Sequence, residues 1–96
     1  MKILFPEEEH GFDTVVTVIS QQGYCGAGCL VGDQTLFSGN RIEGKVCIHA
    51  LGTLLPTIKA LRYGATFPWS EDPDVAQEAC PDAANPVIFE IRRLRR

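Results

Sequence analysis

Four cysteines, Cys25, Cys29, Cys47 and Cys80, are the residues of this 96-residue chain whose type and spacing bear most directly on chemistry. Only Cys25 and Cys29 are close in sequence, three residues apart, in a stretch that also holds Gly23, Gly26, Gly28 and Gly32. A Cys-x3-Cys interval falls within the spacings of tetrahedral zinc sites. The glycines free the backbone for tight turns, so two sulfurs can point inward while nearby N–H groups face them. Cys47 opens a predicted helix, where the macrodipole and free N–H groups favour a thiolate, and Cys80 closes a second one. Four thiolates with no mandatory open position suit structural zinc, with iron or an iron–sulfur cluster as the competitor. Four thiolates on a divalent ion carry a charge of about −2, which N–H donors of the glycine turn, or Lys45, would offset.

The same thiols admit an enzyme. Cys47 would act as nucleophile or redox thiol, Cys25 or Cys80 would resolve it, and His49, two residues on, would move protons. His49 is also a replacement metal ligand, although a lone helical histidine more often sits at a surface or packs. His10 has less support. Two further readings need no shared site and no cofactor: four small core fillers, or disulfides, for which four cysteines allow three pairings.

Around the cysteines the sequence sets out its elements. Thr14-Val15-Val16-Thr17-Val18-Ile19 is almost all β-branched and reads as a strand. Thr35-Leu36-Phe37 predicts a short second strand, and Ser38-Gly39-Asn40 supplies turn chemistry before Arg41-Ile42-Glu43. From Cys47 to Tyr63, Ile48, Leu51, Leu54, Leu55, Ile58 and Leu61 recur at helical spacing, with Gly64 as a stop and Lys59 and Arg62 in the last turn. Pro56 predicts a kink or two abutting helices. Asp72-Pro73-Asp74 predicts the start of a short helix, with Asp72 as N-cap, ending at Cys80-Pro81. Val87-Ile88-Phe89-Glu90-Ile91-Arg92 predicts a last strand whose Val87, Phe89 and Ile91 meet the main helix. The expected class is α+β: a small, mostly antiparallel sheet covered by one kinked helix and a short second helix.

Nine basic and 12 acidic side chains give a net charge of −3, and 45% of the residues are apolar. These values fit one domain over residues 1–96, with an acidic leader over 1–12. The slight acidity argues against nucleic-acid binding as the main task. No run reaches the length of a membrane helix, and Met1 to Glu9 does not read as a signal peptide, so a cytoplasmic protein is expected, in which stable disulfides are disfavoured. Partners are otherwise unknown. Phe67-Pro68-Trp69 either walls a pocket beside the cysteines or caps the core, and as an exposed turn it would make the chain an interaction module. Asp33 and Asp82 are expected to stabilise turns. The arginines from Arg92 to Arg96 are expected to guard an edge strand, and a domain this small could also gain from pairing with a second copy as a homo-oligomer.

Several motifs occur together in a recognisable order: Cys25, then Gly28-Cys29-Leu30-Val31-Gly32-Asp33, Cys47-x-x-Ala50 with Leu55-Pro56, Leu61-Arg62-Tyr63-Gly64-Ala65, Phe67-Pro68-Trp69, Cys80-Pro81-Asp82, and Asn85-Pro86-Val87-Ile88-Phe89-Glu90-Ile91. Over residues 14–94 this order resembles a family of small, uncharacterised bacterial and archaeal proteins. The resemblance implies a fold and a site, not an activity. In that family the position of Cys29 is commonly histidine. Histidine and cysteine both offer a metal-binding atom after deprotonation, so the exchange favours a ligand position over a disulfide or a core filler. If the family's histidine is instead an acid or base, its replacement by Cys29 removes that chemistry.

Overall fold

The structure, a computed structural model, describes residues 11–25 and 28–95. The leader as far as His10, together with Gly26, lies outside the described residues. Within them the chain forms β1 (Thr14–Gln21), β2 (Gln34–Ser38), β3 (Arg41–Glu43), α1 (Ile48–Arg62), β4 (Val75–Ala79) and β5 (Val87–Arg93). The strands make one sheet in the order β3-β2-β1-β5-β4, with every neighbouring pair antiparallel.

Alternation decides which face is covered. Thr14, Val16 and Val18 of β1 are buried, as are Val87, Phe89, Ile91 and Arg93 of β5, with Thr35 and Phe37 of β2 and Ala76 of β4 beside them. This period of two puts one side of the sheet against the helix. The register brings Val16 opposite Ile91 and Val18 opposite Phe89. Onto this surface α1 lays Ala50, Leu54, Ile58 and Leu61, and Leu54, Leu61 and Ile91 have no exposure at all. Leu54, Ile58 and Leu61 of the expected seam are buried and Leu51 packs beside them, but Ile48 is 78% exposed, Leu55 lies at the surface, and the small Ala50 is buried in their place.

The two ends of α1 do different work. At its C-terminal end Gly64 adopts φ 93°, its N–H donates to the Leu61 carbonyl, and the Ala65 N–H reaches back to the Ala60 carbonyl at 2.9 Å. This is a glycine-centred stop that satisfies carbonyls the helix leaves unpaired. At the other end Cys47 is the N-cap, in extended conformation and with no side-chain cap bond. A bulge in β1 between Val18 and Ser20 re-aims that strand, so that Gln21 pairs with Val87 before the chain turns toward Cys25.

Three expectations are not met. The segment after Asp72 is not a helix. Asp72 does accept the Asp74 N–H at 2.9 Å, closing a local turn, but Val75–Ala79 then pairs with β5 as an outer strand. Five residues form too few helical bonds to compete with a sheet edge that offers a full ladder. The kink at Pro56 is not confirmed either: α1 is one continuous element through Pro56. Pro56 and Gly52 are both exposed, so water can reach the carbonyl that loses its helical donor. The strand bearing the arginines is not an edge, since β5 lies between β1 and β4. Of the two readings of Phe67-Pro68-Trp69, which follows the C-terminal end of α1, the core one fits: Phe67 packs on the core and stacks on Trp69 at 5.1 Å, while Trp69 is 76% exposed.

Candidate functional site

All four cysteines line one open cavity of about 790 Å³ at the N-terminal end of α1. They arrive there from three directions. Cys25 and Cys29 come from the turn after β1, Cys47 from the cap of α1, and Cys80 from the step between β4 and β5.

Each segment is fixed by backbone bonds that the sequence supplies locally. In the glycine turn the Gly28 N–H donates to the Cys25 carbonyl at 3.0 Å. Asp33 closes the following turn by accepting the Leu30 N–H at 2.9 Å, so Asp33 has the turn role expected of it. Lys45 spans from the helix side to the Gly28 carbonyl at 3.0 Å, and its own carbonyl accepts the Thr35 hydroxyl at 2.6 Å. Lys45 thus ties the cysteine turn to the segment that leads into Cys47. Cys80 is held by the opening of β5: its N–H donates to the Val87 carbonyl, the Val87 N–H donates back to its sulfur at 3.3 Å, and its thiol faces the Asn85 carbonyl at 3.8 Å.

Within the cavity, Cys29 interacts with its neighbours Cys25 and Cys47. Cys29 is buried, and burial is the first reason its proton is held hard; a hydrogen bond with Cys25 and the charges of Cys25 and Cys47 add to it, against the pull of Lys45. The thiol is pushed up to about 11. A negative charge on Cys25 or Cys47 raises the proton affinity of Cys29. A cation of matching softness removes that conflict. Among the described residues, no group of three or more His, Cys, Asp or Glu side chains is placed so that it could hold a metal ion. The cysteines are all free thiols, so no disulfide joins them. The core-filler reading describes Cys29 in part, since Cys29 belongs to the hydrophobic core, with Cys25, Cys47 and Cys80 packed against it.

His49 is exposed and stands on the cavity wall beside Ile48. His10 lies outside the described residues. Asp82 lines the cavity but spends its carboxylate on its own turn, accepting the Ala84 and Asn85 N–H groups at 3.1 and 3.2 Å.

Asn85 has a positioning part that reading the sequence missed. Its side-chain oxygen accepts the Tyr24 N–H at 2.9 Å, and the Gln22 N–H donates to the Pro86 carbonyl at 3.0 Å. The loop after Cys80 is thereby clamped to the turn that carries Cys25. An Asn-Pro step in a turn that faces a glycine-rich one was the available signal, but only the fold shows that the two turns meet. Gly23, at φ 72°, accepts this contact because it has no Cβ; a methyl group there would run into the Asn85 side chain. Gly23→Ala is therefore expected to cost about 1–3 kcal/mol through backbone strain. It should also speed alkylation of Cys25, as urea melts and timed mass spectrometry would show. An unchanged rate would mean that the clamp does not position the thiol.

Comparison of the chain with protein-family models, with curated proteins and with solved structures found no match. The residues themselves therefore carry the functional reading. No helix of the described residues is long and apolar enough to cross a membrane.

Proposed function

We propose that the chain binds a soft metal ion, zinc or iron, through Cys25, Cys29, Cys47 and Cys80. The convergence of four thiols from three separate segments on one cavity carries this reading. Core fillers would have no reason to share a cavity wall, and a disulfide would need only two sulfurs. The Val87 N–H directed at the Cys80 sulfur is the kind of outer hydrogen bond that stabilises thiolates around a metal. In this reading part of the binding free energy appears as folding free energy.

The competing reading is thiol chemistry without metal, at Cys47 with His49. The protein purified without oxygen distinguishes them by elemental analysis. About one equivalent of zinc or iron per chain, lost in Cys29→Ser, is expected. Metal-free protein that is fully folded and carries one fast-alkylating thiol would replace this reading with the other.

A further inference from the structure

We propose that β3 is the seam through which two copies of this chain pair, antiparallel and about a two-fold axis at Ile42, so that their sheets join edge to edge. This pairing stands apart from the metal reading and does not rest on it. β3 is one of the two outer strands of the sheet, and all three of its residues are exposed.

The hairpin decides what this edge offers. Gly39 and Asn40 alone join β2 to β3, and the register sets Ser38 against Arg41, Phe37 against Ile42 and Leu36 against Glu43. A two-residue loop closes on a hydrogen-bonded pair, and along an antiparallel ladder such pairs alternate with pairs that exchange no bonds. Arg41 and Glu43 therefore turn their backbone groups to β2, while the N–H and C=O of Ile42 point outward from the sheet. Two copies of Ile42 set opposite each other would exchange both bonds.

Charge complementarity selects a second copy as the partner. In this pairing Arg41 of each copy stands opposite Glu43 of the other, in the pairs whose side chains lie closest. Among the described residues, neither Arg41 nor Glu43 takes part in an ion pair within its own chain. Outer strands are commonly guarded by lysines, whose single sign repels another copy. Arg41-Ile42-Glu43 instead carries opposite signs at equal distances from its centre, so the same charges attract a copy. Gly44 of one chain then lies opposite Asn40 of the other and brings no side chain to clash. The other outer strand, β4, lacks this symmetry, since pairing about Gln77 would set Glu78 against Ala76 and Val75 against Ala79. Ile42, 46% exposed, shares a groove with the partly exposed Leu55, and pairing shields the two Ile42 side chains with each other.

Sedimentation velocity of the full chain, in reductant so that no disulfide joins the copies, provides the test. A dimer fraction that rises between about 10 µM and 1 mM is expected for so short a seam. Glu43→Arg sets arginine against arginine at both ends of the seam and should weaken association by about tenfold, and Arg41→Glu should do the same with two acids. Arg41→Glu combined with Glu43→Arg keeps the pattern of opposite signs and should return association to within about threefold of wild type. Ile42→Pro should abolish it, because proline removes an N–H that the chain's own sheet does not use. Should Ile42→Pro fail to fold, the charge variants at exposed positions decide. A monomer at every concentration overturns the proposal. So does a dimer that neither single charge variant weakens, or one that the double exchange does not restore.

Discussion

Arg93→Met is expected to destabilise the fold by about 3–5 kcal/mol, the range seen when one partner of a buried charged network is removed. Arg93 is only 3% exposed, yet its guanidinium is satisfied on every side. Nη1 donates to the Leu61 and Ala65 carbonyls, both at 2.9 Å, Nη2 to the Pro73 carbonyl at 2.7 Å, and Nε to Asp74 at 3.0 Å. The group also lies over the Phe12 ring at 5.3 Å. One side chain thus joins the C-terminal end of α1, the connection toward β4 and the last strand, and methionine would take a donor from three carbonyls, of which Leu61 keeps the Gly64 N–H. At about 4–8 °C per kcal/mol for a domain of this size, the melting temperature should fall by more than about 10 °C. Lysine should recover little, because a single ammonium cannot span the fork that guanidinium bridges. A melting temperature for Arg93→Met within a few degrees of wild type would show that the network adds no stability.

Acid should act on the same network through Asp74. The hydrogen bond from Arg95, with the bond and charge of Arg93 behind it, holds the Asp74 carboxyl below its ordinary value of 3.8. A carboxyl whose folded value lies below its unfolded one stabilises the protein above the unfolded value, and this contribution disappears as the pH falls through the folded value. Asp74→Asn should therefore flatten the acid limb of the stability curve below about pH 4 while leaving its alkaline side unchanged.

Arg93 also marks where reading the sequence stops. The β-branched run of β1, the alternation of Val87, Phe89 and Ile91 and the helical spacing of α1 are local patterns, and each formed the element it suggested. Four arginines in five residues at the end of a strand looked like protection for an exposed edge. Only the pairing of Val75–Ala79 with β5 makes that strand internal and buries Arg93, and pairing across intervening chain leaves no local trace. The failed second helix has the same origin. Asp72-Pro73 is a sound helix start, but the neighbouring ladder, absent from any window of sequence, decided the outcome. Cys80 was tied to a helix end and sits instead at the exit of a strand, yet it still reaches the cavity because the β4–β5 connection lies at the same end as the cap of α1. The convergence of the cysteines is thus legible as a spatial guess, whereas the clamp through Asn85 depends on contacts between loops.

Metal should change stability by a comparable amount, and the size of the change bears directly on the proposed site. An ion that binds the folded chain at 1,000 times its dissociation constant stabilises it by about 4 kcal/mol, equivalent to about 15–30 °C in melting temperature here. Zinc is expected to produce a shift of this order at neutral pH in the wild-type chain and almost none in Cys29→Ser, whose hydroxyl is a poor ligand for a soft ion. Alkaline pH separates the two states further. Without metal, folding holds the Cys29 proton up to about 11, above its ordinary 9.0, because the thiol is buried among other thiols. A group whose folded value is raised stabilises the protein below the unfolded value, and that stabilisation fades as the pH rises toward the folded one. Metal-free protein should accordingly weaken between about pH 9 and 11. Metal-loaded protein should not, since the ion has already displaced the proton and binds more tightly as protons become scarce. Melting curves with and without zinc at pH 7 and pH 10 would show the two lines separating as the pH rises. Coincident curves at both values would mean that the clustered thiols hold no ion, and that the repulsion among them is relieved by protons alone.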